Sequence, residues 1–214
     1  KHHQLEQEVL EKSDMVIVVG ETMKKKFLKH NHNIEVLTNG FDSYENSLTI
    51  ELDSNFSITH VGLMNADRNP TILWEVLHEI SSENIDFKNN LRIKFIGKID
   101  DTVIQDIQVF NTNNIVRIPY LDHDEVRKYQ ASSQVLLLSI NHVPSAKGII
   151  TGKIFEYLQA KRPILGIGPE DGDAAAILKK TNAGNIVGFN NKVELKTAVL
   201  KLYKDFDAAS FPSI

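Results

Sequence analysis

Thr151-Gly152-Lys153, followed three residues later by Glu156, is the grouping in this sequence best suited to chemistry. It lies in P-S-A-K-G-I-I-T-G-K-I-F-E-Y-L-Q-A-K-R-P-I-L-G-I-G-P-E-D-G-D, residues 144–173, which reads as a loop, a short amphipathic helix and an apolar strand. The free amides at a helix start favour an anion, and Lys153 adds a full positive charge there. One turn along, Glu156 can accept hydrogen bonds from paired hydroxyls such as those of a ribose. Phosphate and ribose recognition side by side point to a nucleotide diphosphate. The plainer alternative is a buried amphipathic helix whose lysine and glutamate are merely solvated.

Strand-like and helix-like segments alternate around this grouping. Met15–Val19 and Ile34–Leu37 are short apolar runs flanking a helical pattern from Glu21 to Lys29, and Asn39-Gly40 marks a turn. Residues Ser43 to Asn55 are polar and irregular and read as a linker. The rhythm then tightens into strands at Ser57–Leu63, Leu91–Ile96, Ile115–Ile118, Val135–Ile140, Ile164–Ile167 and Asn185–Val187. Helical patterns fall at Pro70–Ile80, Asp101–Phe110, Asp124–Ala131, Asp173–Lys180 and Val193–Tyr203. Val135–Ile140 is unbroken and apolar, as suits a parallel strand covered on both faces. The pattern predicts an α/β fold, a doubly wound parallel, Rossmann-like sheet. Ligands of such sheets sit outside the carboxyl ends of the strands, and there Arg68, Lys98 and Lys153 follow strands in turn. Arg68 can grip a diphosphate bidentately or pair with Asp67, whereas Lys98 has only its position to recommend it.

The segment G-K-I-F-E-Y-L-Q-A-K-R-P-I-L resembles the donor-binding motif of GT-B glycosyltransferases, particularly the retaining enzymes of family four. The resemblance implies that Lys153, with Gly152, holds the donor's diphosphate and that Glu156 holds the ribose. V-G-L-M-N-A-D-R-N-P is similar to the family's glycine loop and basic residue, which assigns Gly62 and Arg68 to the donor. Arg117-Ile118-Pro119-Tyr120-Leu121 resembles the segment meeting the base: backbone of Ile118 and Tyr120 at its edge, the Tyr120 ring against it, or that ring used only for packing. One departure stands out. The family has two glutamates separated by seven residues; Glu156 matches the second, and the first falls on Gly148. The acidic contact to the sugar is then missing or is replaced by Ser145 or backbone.

D-M-V-I-V-V-G-E-T-M-K-K-K-F-L and I-E-V-L-T-N-G-F-D resemble the end of the family's N-terminal domain. The expected division is residues 1–45 for that domain's end and the crossing, 46–206 for the donor-binding domain, and 207–214 for a tail. Most of an acceptor domain would then be missing, and the chain reads as a fragment. The expected activity is transfer of a sugar from a nucleotide diphosphate sugar to a sugar or lipid-linked sugar acceptor, with Arg68 and Lys153 catalytic. A sugar-nucleotide epimerase and a non-catalytic nucleotide-sugar-binding module are the alternatives.

Composition narrows the classes further. The chain has 214 residues, 42% hydrophobic and 24% charged, with no cysteine and a formal net charge of −4. That balance argues against a general nucleic-acid binder, and the lack of cysteine fits a cytoplasmic setting. No apolar run approaches a membrane span. Lys24, Lys25, Lys26 and Lys29 make a basic cluster, read as a solvated helix face or as peripheral contact with the inner face of a membrane. The histidines form no metal set and no cofactor is expected. Asp171 or Asp173 reads as the cap of the helix that follows.

Overall fold

The computed structural model describes residues 2–41, 50–108 and 114–209. The chain begins with α1 (His2–Lys12), β1 (Val16–Val18), α2 (Glu21–Phe27) and β2 (Ile34–Val36). After β3 (Phe56–Val61) come α3 (Thr71–Glu83), α4 (Ile85–Asn90), β4 (Leu91–Ile96), α5 (Asp101–Ile107), β5 (Ile115–Ile118) and α6 (His123–Ser132). The chain continues through β6 (Val135–Ser139), α7 (Gly152–Gln159), β7 (Ile164–Ile167), α8 (Asp173–Thr181), β8 (Gly184–Val187) and α9 (Lys192–Asp207).

Strands β3 to β8 form one parallel sheet in the order β5-β4-β3-β6-β7-β8. This is the doubly wound arrangement expected from the sequence, with the strand order reversing between β3 and β6. Side chains alternate across the pleat. Val135 and Leu137 face a core built with α3, α4, α5 and α9, around Trp74, Leu77, Phe87 and Val199. Leu136 and Leu138 face the opposite core, where Ile154 and Tyr157 of α7 and Leu178 of α8 pack. An apolar strand without alternation is therefore what two covered faces demand.

The reversal point carries a break in the ladder. β3 and β6 pair at Ile58↔Val135 and Thr59↔Leu136 and then part. The Tyr157 hydroxyl enters the gap, accepting from the Val61 amide at 3.1 Å and facing the Leu137 carbonyl at 3.4 Å. A phenol on the motif helix thus ties the two central strands to α7.

β1 and β2 make a separate parallel pair. It is joined to the large sheet's carboxyl edge by a contact that corrects one expectation. Gly172 stands at the cap position of α8 and supplies no side-chain cap. The Asp173 carboxylate instead accepts from the Thr22 amide at 3.1 Å and the Thr22 hydroxyl at 2.9 Å, so it caps α2, far away in sequence. A Cβ at Gly20 would collide with that carboxylate, which is why the residue before α2 is glycine. Asp171 pairs with Lys147 Nζ at 2.5 Å rather than capping.

Observed strands fall within one or two residues of the expected ones. α1 and α4 were not anticipated: α1 is polar, and α4 is a single short segment begun by an Asn84 side chain that accepts from the Phe87 amide at 2.9 Å. The expected domain boundary at 45/46, most of the linker, the end of the helix near Phe110 and the end of the tail lie outside the described residues.

Candidate functional site

The carboxyl ends of β3, β4 and β5 are joined by two glycines. The Gly62 amide donates to Ile96 O at 2.7 Å, and the Gly97 amide to Ile118 O at 2.9 Å. Both glycines hold positive φ, 90° and 110°. A Cβ on Gly97 would stand 3.3 Å from the Gly62 backbone, and one on Gly62 would stand 3.5 Å from Lys153 Nζ. At Gly97 a Cβ would crowd the neighbouring strand end, whereas at Gly62 the contact with Lys153 would be ordinary and the positive φ is what favours glycine.

Lys153 occupies the first turn of α7. The helix start is open: Thr151 makes no side-chain cap, its hydroxyl is buried without a partner, and nothing lies within 4 Å of a Cβ built on Gly152. The first amides are therefore free to meet an anion. Burial lowers the Lys153 pKa from 10.5 to about 8, helped by the nearby Arg68 charge and opposed by Glu156. The Lys153 ammonium lies 3.2 Å from Nε2 of His60, a residue absent from the sequence reading. His60 is 1% exposed at the sheet centre, and desolvation with the Lys153 charge pushes it down to about 3, so it is neutral.

Arg68 sits in a 3-10 turn (Ala66–Arg68) after β3, not paired with Asp67 but bonded through Nε to Asn141 Oδ1 at 2.7 Å. Its carbonyl accepts from Ser139 Oγ at 2.6 Å. The arginine therefore bridges the loops after β3 and β6, on the two sides of the reversal point. Glu156 is half-buried and accepts from Gln130 of α6 at 3.1 Å. It borders a groove of about 690 Å³ shared with Arg127, Lys128 and Gln159.

The other expected residues are placed less tightly. Arg117 is exposed on the edge strand β5, and the neighbouring Ile118 has its carbonyl engaged by Gly97. Tyr120 is 89% exposed, so packing within the described residues is not its role and its ring face is open. Ser145 is exposed and its carbonyl accepts from the Gly148 amide at 3.1 Å. Gly148 faces Thr22: a Cβ there would stand 3.2 Å from Thr22 Cγ2. Lys98 is exposed beyond Gly97.

Among the described residues no group of three or more His, Asp or Glu side chains could hold a metal. Three D-x-D spacings do occur, at Asp122-His123-Asp124, Asp171-Gly172-Asp173 and Asp205-Phe206-Asp207. In the first, Asp122 caps α6 and Asp124 pairs with Arg127; the second is committed to Lys147 and Thr22, and the third lies on α9.

No protein-family model matches the sequence, and no curated protein matches it. Solved structures do. The crystal structure of TarM superposes with a TM-score of 0.71 at 17% identity, over 97% of this chain and 40% of that one. WaaG, described as a glycosyltransferase involved in lipopolysaccharide biosynthesis, gives 0.69 at 13% identity, over 98% of this chain and 59% of that one. An E. coli structure described as trehalose-6-phosphate bound with UDP-2-fluoro glucose gives 0.71 at 11% identity, over 94% and 55%.

The chain has the GT-B glycosyltransferase fold. It spans about half the length of these GT-B chains, between 40% and 59%. The Gly62, Arg68 and Lys153 cluster lies where this sheet reverses its strand order. His60 and Tyr157 were missed because a histidine in S-I-T-H-V and a tyrosine in F-E-Y-L read as sheet and helix filler. The available signal was a lone ionisable residue inside an otherwise covered strand.

Proposed function

We propose that this chain is the donor-binding part of a glycosyltransferase that moves a sugar from a nucleotide diphosphate sugar to an acceptor, in polysaccharide or glycoconjugate synthesis. The observation that carries the reading is a half-buried ammonium, Lys153, at an uncapped helix start beside Arg68. As the glycosidic bond breaks, negative charge grows on the leaving diphosphate, and Lys153, Arg68 and the first α7 amides stabilise it. Glu156 accepts from the ribose hydroxyls, and the open Tyr120 ring and the Ile118 backbone meet the base. Ser145 or backbone stands in for the missing acid at position 148. The cationic pair supplies the charge, so we propose transfer without a metal cofactor; retention at the anomeric carbon is proposed on the resemblance of residues 152–165 to the retaining enzymes alone. The S. aureus TarM complex named with UDP and the structure named with UDP-2-fluoro glucose make UDP the first ligand to try. The proposed setting is the cytoplasm, with the sugar or lipid-linked sugar acceptor held by an N-terminal domain.

A non-catalytic binding module is the second reading, favoured by glycine at position 148. Calorimetric titration with UDP, GDP and their sugar conjugates tests the site: saturable binding of one diphosphate, lost in Lys153→Ala, is expected. Unchanged binding in Lys153→Ala would overturn the assignment. Incubation with donors and acceptors then separates the readings, since released nucleotide with a new glycoside means transfer, interconverted sugar means epimerisation, and binding without turnover means a module.

A further inference from the structure

An imidazole buried in the middle of a parallel sheet needs a partner for each nitrogen, because a buried polar atom without one is costly. His60 Nδ1 lies 3.2 Å from Leu137 O. A carbonyl can only accept, so this nitrogen carries the proton and Nε2 presents a lone pair. Lys153 Nζ, at 3.2 Å, donates to it. Leu63 O, 3.4 Å from the same nitrogen, is then an acceptor facing an acceptor, and it is turned to Arg68 Nη1 instead. The ammonium decides the tautomer, since it can only donate and so requires Nε2 to be the acceptor.

The origin of this arrangement is the parting of β3 from β6. Beyond Thr59↔Leu136 the ladder stops, which leaves Leu137 O available to His60 Nδ1 and to the Tyr157 hydroxyl. The imidazole is thereby fixed by the sheet rather than by a loop. The groups facing the Lys153 ammonium are His60 from β3, Arg68 from the turn after it, and Glu156 from its own helix. Tyr157 lies behind them with its phenol held neutral, since burial pushes its pKa above the ordinary range.

A carboxylate in the place of His60 would hold the ammonium equally well, but it would cancel the charge an anion needs. A neutral acceptor orients the lysine and leaves the charge intact. The lysine's four-carbon stem is otherwise free to adopt many rotamers, so a fixed acceptor saves that ordering at the moment of binding.

We infer that His60 is the positioning residue for Lys153: its Nε2 lone pair holds the ammonium over the Gly62 backbone with its charge open to an incoming diphosphate. The inference rests on the nucleotide-diphosphate reading of the site. The low pKa of Lys153 gives it a pH signature. An anion bound to the ammonium raises that pKa, so affinity falls as pH rises through about 8.

The test is UDP titration of the parent, His60→Phe and His60→Gln between about pH 6 and about pH 9, with thermal unfolding as a check on folding. His60→Phe keeps the ring's shape without the acceptor; it is expected to weaken UDP roughly tenfold and to move the loss of affinity down by about one pH unit. His60→Gln retains an acceptor and is expected to stay within about threefold. Equal weakening in both variants with an unmoved pH midpoint means a packing role and overturns the inference, as does a His60→Phe protein that binds like the parent.

Nitrogen-15 spectra of the histidine side chains settle the matter if His60→Phe does not fold. The expected result is an Nδ1–H tautomer, no titration above about pH 5, and an Nε2 resonance that shifts in Lys153→Met. An Nε2–H tautomer, or an unshifted resonance, overturns it. These spectra need no ligand. A parent that binds no diphosphate would therefore end the nucleotide reading while the spectra still decide the pairing of His60 with Lys153.

Discussion

Replacing Lys153 by methionine should make the protein more stable and a poorer ligand binder. The lysine's pKa falls from 10.5 to about 8 in the folded chain. At ~1.4 kcal/mol per pKa unit, keeping the ammonium in this site costs about 3 kcal/mol at neutral pH. Methionine fills similar volume without the charge, but leaves His60 Nε2 without its donor, a loss of about 1 kcal/mol. The net gain is about 2 kcal/mol, or roughly 4–8 °C in Tm for a chain of this size. The unfolded chain keeps its proton to higher pH than the folded one, so the parent's stability rises between pH 8 and 10.5 and the variant's advantage shrinks over that interval. Thermal unfolding at about pH 7 and about pH 9.5 should show a clear gain at the lower pH and near parity at the higher. UDP affinity measured on the same samples should fall at least tenfold, about the worth of one charge-assisted hydrogen bond. A variant less stable than the parent at neutral pH, or a gain that persists unchanged at the higher pH, would refute the reasoning.

Three further outcomes follow from the packing around the site. His60 is held down to about 3 from an ordinary 6.5, so the folded state loses stability as pH falls through that window, by up to ~1.4 kcal/mol per pH unit; urea titrations of His60→Phe should show a flatter acid limb than the parent. Tyr157→Phe leaves the Val61 amide buried and unpaired where β3 and β6 part, and should lower the unfolding free energy by about 1–3 kcal/mol in the same assay. Asp173→Ala removes the cap of α2 supplied from α8, and amide exchange in residues 21–27 should accelerate by the equivalent of about 1 kcal/mol while the central sheet stays protected.

The large sheet was readable because a covered parallel strand has a simple signature. Val135–Ser139 and Ile164–Ile167 are apolar runs of strand length, and between them the amphipathic α7 could only lie on one face. Lys153 and Arg68 were readable because charged residues after strand ends have few structural reasons to be there. The partnership of His60 and Lys153 was hidden, since 93 residues separate them and nothing local in S-I-T-H-V announces a tautomer. The α2 cap was hidden for the same reason: Asp173 follows a glycine at a helix start, the setting of a local cap, and only the tertiary approach of Gly20 and Thr22 diverts it. Tyr157 gave no sign because the gap it fills comes from strands parting, a property of the sheet and not of any one segment.

The contact between Gly148 and Thr22 restricts the order in which this site can change. A glutamate at position 148 would bring its Cβ to 3.2 Å from the Thr22 methyl, and that threonine cannot turn aside without breaking its 2.9 Å bond to Asp173. Thr22→Ser removes the methyl and keeps the hydroxyl, so it opens the space while preserving the cap. Gly148→Glu should therefore cost less stability in a Thr22→Ser background than in the parent. Whether position 148 can take an acid is thus governed by a residue on α2, 126 positions earlier in the chain.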